Sequence, residues 1–488
     1  MSLVAFFGMN KIRFIIYLLL TLLLIQCQQR QLYVTKSKKP NVIIIFADDL
    51  GYGDIGCFGA ENLETPHLDQ LAKEGAKFTQ FYTAQPVCSA ARAALLTGCY
   101  SNRVGIHQAL MPDAKIGLNP QEVTIADMLK DQRYRTAIFG KWHLGDHPDF
   151  MPLHHGFDEF FGISYSNDMW PHHPQQGTIF DFKDLYLYDN DKKVSALTDQ
   201  SQLTTQITEK SLDFIQRNKN NPFFLYIPHP QPHVPLFVSE KFKGKSKNGL
   251  YGDVIMEIDW SVGQIMQTLR DLKIDKNTII IFTSDNGPWL AYGNHSGSAA
   301  PFREGKGTVW EGGVREPCII SYPGVITPGT TIATPLMTID VLPTLASITE
   351  ARLPKSKIDG IDVLPVWKGK SKASPHEAFY FYYGKNELQA IRYKDWKMYF
   401  PHTYITLQDQ PQGKDGMPGK PKSVKIQNPE LYNLKNDVGE RHNIADQHPD
   451  IVQKIHQLAD GIRKKLGDKL TDVEGNENRL PGKVKDNK

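Results

Sequence analysis

A chain of 488 residues, 40% of them hydrophobic, is long enough to bury a large core and is expected to divide into a large unit and a smaller one. Lys and Arg total 56 against 53 Asp and Glu, a near balance that gives no reason to expect a nucleic-acid partner. The cysteines, Cys27, Cys57, Cys88, Cys99 and Cys318, are scattered and lack CxxC spacing, which argues against both a disulfide framework and a structural zinc site.

The first segment reads as an export signal over residues 1–27. Met9, Lys11 and Arg13 lead into the apolar run Phe14 to Ile25. Met9 is a plausible true start, because the basic residues follow it directly. The run is shorter than the roughly 20 residues of an ordinary membrane span, so an uncleaved anchor is the weaker reading. Cys27 stands where a bacterial lipoprotein carries its acylated cysteine, although Gln26 occupies a position that favours a small residue. A cleaved signal and a lipid anchor at Cys27 both remain open. Either way the protein is expected to be exported, to the periplasm, the cell surface or the medium.

A linker over 28–39 is followed by a large domain expected over 40–373. Short apolar runs rich in β-branched or aromatic residues read as buried strands: Val42 to Phe46, Thr136 to Phe139, Phe223 to Ile227, Thr278 to Phe282 and Cys318 to Ser321. Helical patterns lie between them, at Thr65 to Glu74, Val123 to Lys130, Thr204 to Arg217 and Val254 to Leu272. This alternation predicts an α/β fold, with a mostly parallel central sheet and helices on both faces. The texture changes near Ser374. Ala378 to Tyr383, Gln389 to Tyr393 and Trp396 to Phe400 predict a small antiparallel sheet within an α+β subdomain over 374–470. Its terminal helix opens at Pro449 and presents Ile451, Ile455, Leu458, Ile462 and Leu466 on one face. Residues 471–488 form a polar, charged tail that is expected to be disordered.

Polar groups follow four of the strands: Asp48 and Asp49, Lys141 and His143, His229 and His233, Asp285 and Asn286. Ligands bind at the carboxyl ends of strands in open α/β sheets, so these groups could share one crevice. Asp48, Asp49, Asp285 and Asn286 would make an all-oxygen site for Ca²⁺ or Mg²⁺. Taken singly, an Asp pair also reads as solvated and Asp285-Asn286-Gly287 as a good turn sequence. In Pro86 to Gly98, Ala and Leu favour helix from about Ser89 and Gly98 is a natural stop, which puts Cys88 at a helix N-terminus. Such a position attracts an anion, and Arg92 one turn on adds a charged donor. On its own Cys88 reads more plainly as a core thiol, or as half of a disulfide with Cys99.

Cys88-Ser89-Ala90-Ala91-Arg92 followed by Leu95-Leu96-Thr97-Gly98 resembles the signature of the formylglycine-dependent sulfatases. Tyr134 to Gly145 resembles their second signature, with Arg133 where a glycine is usual. Further matches are Phe46 to Gly51, Thr283 to Gly287, Gly305 to Thr308, Glu311 to Pro317, and Leu431 to Leu434 with Asp437, Glu440 and Asn443. Within the family the pattern is similar to the arylsulfatase A and N-acetylgalactosamine-6-sulfatase branches. The resemblance implies an alkaline-phosphatase-like fold and a catalytic role for the 40–373 domain.

The resemblance further implies that Cys88 is oxidised to formylglycine by a formylglycine-generating or anaerobic sulfatase-maturing enzyme, and that Asp48, Asp49, Asp285 and Asn286 hold Ca²⁺, with Mg²⁺ second. Arg92, Lys141 and Lys306 would neutralise the sulfate oxygens. One hydroxyl of the aldehyde hydrate would attack sulfur, His233 with Lys306 would protonate the leaving alcohol, and His143 would act as base to expel sulfate. Alone, His233 reads as a loop histidine among prolines and the lysines as solvated. Substrate selection is expected from Asn167, Asp168, His172, His173, His229 and His295, with a sulfated carbohydrate, or an aryl sulfate, as substrate. The alternatives are a phosphodiesterase or phosphonate monoesterase of the same superfamily, and a binding protein in which Cys88 stays a thiol.

Overall fold

The computed structural model describes residues 39–173, 175, 177 and 180–484. The expected signal, Cys27 and nearly all of the expected linker lie outside these residues. Among the described residues no helix is long and apolar enough to cross a membrane.

Strand β1 (Asn41–Ala47) is buried at every position, and its Val-Ile-Ile-Ile-Phe run is continuous because neighbours cover both faces of the sheet. Helix α1 (Pro66–Glu74) starts on a proline that suits the first turn and buries Leu68, Leu71 and Ala72. It leads into β2 (Ala76–Tyr82). Helix α2 (Cys88–Thr97) is buried along its whole length, which its small alanines permit, and stops at Gly98 in the left-handed conformation (φ 67°). Helix α3 (Ile125–Asp131) is opened by Thr124, whose hydroxyl accepts from the Asp127 amide while the Asp127 carboxylate accepts from the Thr124 amide. There follow β3 (Arg135–Lys141), β4 (Glu159–Ile163), β5 (Tyr186–Asp189), β6 (Lys192–Ala196), α4 (Leu203–Asn218), β7 (Phe223–Pro228), α5 (Gly249–Asp271), β8 (Thr278–Ser284), β9 (Arg315–Ser321) and α6 (Val341–Thr349).

These strands form one mixed sheet in the order β2, β9, β8, β1, β7, β3, β4, β5, β6, and the short strands Thr330–Ile332 and Leu336–Met337 pair with β2. The central run β8, β1, β7, β3, β4 is parallel throughout, whereas β9 runs antiparallel to both of its neighbours and β5 and β6 close the far edge antiparallel. Helices cover the sheet in two groups, α1 with α4 and α5, and α2 with α3 and α6. The expected α/β class is therefore met, with antiparallel strands flanking a parallel centre. Because the central strands share one direction, their carboxyl ends lie along one edge, and that geometry gathers the site.

The C-terminal part contains a four-stranded antiparallel sheet of β10 (Ala378–Tyr383), β11 (Glu387–Tyr393), β12 (Trp396–Tyr399) and β15 (Glu430–Asn433), and a separate hairpin of β13 (His402–Thr406) and β14 (Lys422–Ile426). Helix α7 (Pro449–Leu466) buries Ile455, Ala459, Ile462 and Leu466, the stripe its sequence announces. The two sheets meet at a buried polar cluster. Glu311 accepts from Lys397 Nζ at 2.8 Å, from Tyr82 Oη at 2.6 Å and from Arg315 at 3.2 Å, while its backbone amide donates to Glu440. Burial opposes ionisation of Glu311, but Lys397 and Arg315 outweigh it and hold its carboxyl down at about 2.

The expected disorder from Thr471 is not met over residues 471–484. Gly482–Lys483 pairs antiparallel with Ile116–Gly117, Arg479 forks onto Glu122 at 2.7 and 2.8 Å, and Arg103 donates to Glu477. A polar composition misled the reading because ion pairs and backbone pairing, rather than apolar burial, order this strap. Arg479→Ala strips Glu122, only 7% exposed, of its bidentate partner. Denaturant unfolding should show a loss of about 1–3 kcal/mol, and the Val484 amide, which donates to the Lys115 carbonyl at 3.0 Å, should exchange faster with solvent.

Candidate active site

At the end of β1 the backbone turns sharply. Asp48 is wholly buried, and Asp49 adopts a left-handed conformation (φ 64°), uncommon for a residue with a side chain and characteristic of functional corners. The end of β8 folds alongside. The Asp49 amide donates to Asp285 Oδ1 at 3.1 Å, Asn286 Nδ2 donates to Asp49 Oδ1 at 2.7 Å, and the Leu50 amide donates to Ser284 Oγ. The acidic quartet expected from sequence is thus one cluster.

Val87 is extended (φ −156°, ψ 142°), so the chain enters α2 at Cys88, which is 2% exposed. Its Sγ lies 3.5 Å from Asp48 Oδ1 and 3.4 Å from Lys306 Nζ. Burial, with Asp48 next, pushes the thiol far above its ordinary range, so it is a neutral thiol and not a thiolate. Arg92, one turn on, is fully enclosed. Its guanidinium donates to Asp285 Oδ2 at 2.9 Å and to the Lys141 carbonyl at 2.9 Å, and lies 3.3 Å from Asp48 Oδ2. Lys141, the last residue of β3, pairs with Asp48 and donates to Ser166 Oγ at 2.9 Å. Lys306 reaches Asp49 Oδ1 at 2.7 Å from a loop held by its own amide on the Pro288 carbonyl and by the Gly307 amide on the Pro86 carbonyl.

Burial opposes the charge on Asp48, but Lys141 and then Arg92 outweigh it and keep the carboxyl well below the usual carboxylate range. Asp285 is driven the other way, to about 7, by burial and by the adjacent Asp48. Counted as ionised, Asp48, Asp49 and Asp285 balance the positive charges of Arg92, Lys141 and Lys306. A divalent cation entering with a sulfate group would leave that balance nearly intact, whereas either alone would strand charge in a buried site.

Asp48, Asp49, Cys88 and His233 each offer a ligand atom within 4.8 Å of the others, and of these the two carboxylates suit a hard cation whereas the thiol and the imidazole do not. Asn286 Oδ1 is buried and without a partner in the structure, the position of an amide oxygen that awaits one. Carboxylates and an amide oxygen are ligands for Ca²⁺ or Mg²⁺.

His143 also has a left-handed backbone (φ 60°). Its Nε2 lies 2.8 Å from the Leu110 carbonyl, which can only accept, so Nε2 carries the proton and Nδ1 is left buried, basic and unpartnered. Burial, reinforced by Lys141 and Arg92, holds the ring neutral. His233 donates from Nδ1 to the Val234 carbonyl and turns Nε2 toward Asp49 Oδ2 at 3.5 Å.

The residues expected to select substrate separate. Asn167 is wholly buried and gives its amide to the His233 and Pro235 carbonyls, each at 3.1 Å, so it anchors the His233 loop. His229 packs inward, 3.4 Å from Ser261 on α5, and does not join the cluster. His173 stacks on Phe180, and burial lowers its proton affinity against the opposing charge of Asp168, which also raises Tyr292 after burial. His172 is exposed beside Trp170, and His295 stands farther out against Gly416. Trp289 is closer in: its ring lies 5.5 Å from His233 and 4.9 Å from Tyr292, and Lys306 Nζ sits 4.7 Å over it. Tyr383 was not anticipated. Its hydroxyl faces Gly307, and its titration is governed by burial and then by Lys306 and Cys88. In sequence it is one of a run of aromatics in β10, with nothing to set it apart from core residues.

Comparison with known proteins agrees with this geometry. The sulfatase family model matches residues 40–351, a model of the C-terminal region of aryl-sulfatase matches 374–479, and one of the C-terminal region of N-sulphoglucosamine sulphohydrolase matches 305–405. Arylsulfatase A from cattle (Bos taurus) is 36% identical over 448 residues, covering 86% of this chain and 87% of that protein. N-acetylgalactosamine-6-sulfatase from dog (Canis lupus familiaris) is 36% identical over 458 residues, covering 88% and 86%. A solved structure from a study of glycosaminoglycan metabolism by Bacteroides thetaiotaomicron superposes with a TM-score of 0.75 at 30% identity, covering 88% of this chain and 100% of that one. The chain therefore belongs to the sulfatase family, and is an enzyme that removes sulfate from sulfated substrates.

Proposed function

We propose that this sulfatase works through formylglycine at position 88 and a bound Ca²⁺, and that its substrate is a sulfated carbohydrate. The observation that carries the reading is the position of Cys88 Sγ, at the start of α2 and between Asp48 Oδ1 and Lys306 Nζ. A neutral buried thiol is a poor nucleophile there, whereas an aldehyde hydrate would find an acceptor on one side and a donor on the other. Once converted by a formylglycine-generating or anaerobic sulfatase-maturing enzyme, residue 88 would supply the nucleophilic oxygen. Asp48, Asp49, Asp285 and Asn286 would hold the cation, which supplies Lewis-acid charge stabilisation.

The chain's own groups account for the rest. Arg92 is fixed by Asp48 and Asp285, and with Lys141 and Lys306 it faces negative charge without reorganising. His143 takes a proton at Nδ1 while the Leu110 carbonyl holds Nε2–H, so the ring cannot turn. A proton on His233 Nε2 lies beside Asp49 and near Trp289, on the side where the leaving alcohol is needed. Trp289 suits the face of a sugar ring. A carbohydrate substrate is supported by the N-acetylgalactosamine-6-sulfatase relatives and by the glycosaminoglycan setting of the solved neighbour. The basic residues Lys11 and Arg13 before the Phe14 to Ile25 run support export, with Cys27 the residue a lipid anchor would use.

Mass analysis of the peptide containing residue 88 should find the aldehyde in active preparations. Cys88→Ala should lower kcat by more than about 10³-fold with the unfolding midpoint kept; turnover at the wild-type rate would refute the nucleophile. Adding Ca²⁺ should raise the thermal midpoint, by the equivalent of about 2.7 kcal/mol at a hundredfold excess over Kd, and Asp285→Ala should remove most of that gain. His233→Ala should cost a sugar sulfate about 10²–10⁴-fold in rate but an activated aryl sulfate far less, because only the alkoxide needs the proton. Equal losses on the two substrates would remove His233 from that role.

A further inference from the structure

The Trp289 loop does not stand alone. Leu407 to Pro421, the connection between β13 and β14, lies directly on it. Gly293 is left-handed (φ 55°), and a Cβ there would fall 1.9 Å from the Gly413 carbonyl oxygen, so the two backbones touch as closely as glycine allows. The Gly419 amide donates to the Ala291 carbonyl at 2.7 Å. Asn294 and Asp415 then close a reciprocal pair, with Asn294 Nδ2 donating to Asp415 Oδ1 at 2.9 Å and the Asp415 amide donating to Asn294 Oδ1 at 2.8 Å. Gly416 abuts His295. A segment from the C-terminal part thereby sets the loop whose inner residues, Trp289 and Tyr292, face His233 and Lys306.

The hairpin and a nearby groove differ in charge. The Leu407–Pro421 connection carries Lys414 and Lys420 against Asp409 and Asp415, and Lys422 and Lys425 of β14 give the hairpin its basic surplus. A groove that includes Tyr165, whose ring lies 5.9 Å from that of His143, is lined by Asp113, Asp146, Asp181 and Asp184 against Lys183 and Lys193. An anionic chain is attracted to the hairpin and repelled from the groove.

We propose that the Leu407–Pro421 segment is a recognition wall for the part of the substrate beyond the scissile sulfate, that it takes an anionic glycan along its lysines, and that Asn294 and Asp415 are the positioning pair holding it against the Trp289 loop. This rests on the sulfatase reading above. The test compares a small aryl monosulfate with a multiply sulfated oligosaccharide. In the double variant Lys414→Glu/Lys420→Glu the KM for the oligosaccharide should rise about tenfold more than the KM for the aryl ester, and the difference should shrink as salt is raised. Asp415→Ala and Asp415→Asn remove the same charge but only the second keeps an acceptor for Asn294, so the oligosaccharide KM should be higher in the alanine variant than in the asparagine variant while the aryl ester KM is alike in the two. KM values that move together, or not at all, overturn the wall. If the wild-type enzyme turns over neither substrate, the proposed formylglycine and substrate reading fails instead. Binding of the sulfated oligosaccharide to unconverted protein then decides the wall separately: weaker binding by the lysine variant sustains it, and equal binding overturns it.

Discussion

A carboxylate at the end of the first strand, Asp48, is caught between Lys141 and Arg92 in full burial, and the rest of the site is arranged around that contact. Taking one such charge from water costs several kcal/mol unless partners surround it. The partners come from two places, Lys141 from the next strand but one and Arg92 from α2, and Asp285 of the adjoining strand holds the same guanidinium in place. Each secures the others. The parallel centre of the sheet is what makes this feasible, because it delivers the ends of β1, β3, β7 and β8 to one edge.

Helix α2 fits the same requirement. Its ten residues are buried, which only a helix of mostly alanine, serine and leucine could tolerate so close to the sheet, and its one charged side chain is spent on the acids. The nucleophile position therefore sits on a rigid element, and its neighbours are fixed before any substrate arrives.

Much of this was legible in the sequence, for a physical reason. Strands buried on both faces must be apolar throughout, so β1, β7 and β8 announce themselves, and the polar residues just beyond them mark the carboxyl edge. The Cys88 motif marks a helix start by composition alone. What stayed hidden depends on side-chain direction or on distant contacts. His229 and His233 share one Pro-rich stretch, yet one turns toward α5 and the other toward Asp49. Asn167 looked like a substrate group and proves to brace the His233 loop. Strand β2 alternates polar and apolar residues beside an edge and gave no strong signal. The strap after Thr471 is ordered by ion pairs that composition does not reveal.

The contact of Glu311 with Lys397 bears on how the chain may be divided. Glu311 belongs to the part that carries the catalytic edge and Lys397 to the smaller sheet, and both are sealed from solvent. A gene cut between residues 351 and 374, where the two family matches part, would therefore take Lys397 from Glu311 and leave it Arg315 and Tyr82 alone, with its seam opened to water. Shuffling the smaller sheet between enzymes would require the matching acid to travel with its lysine.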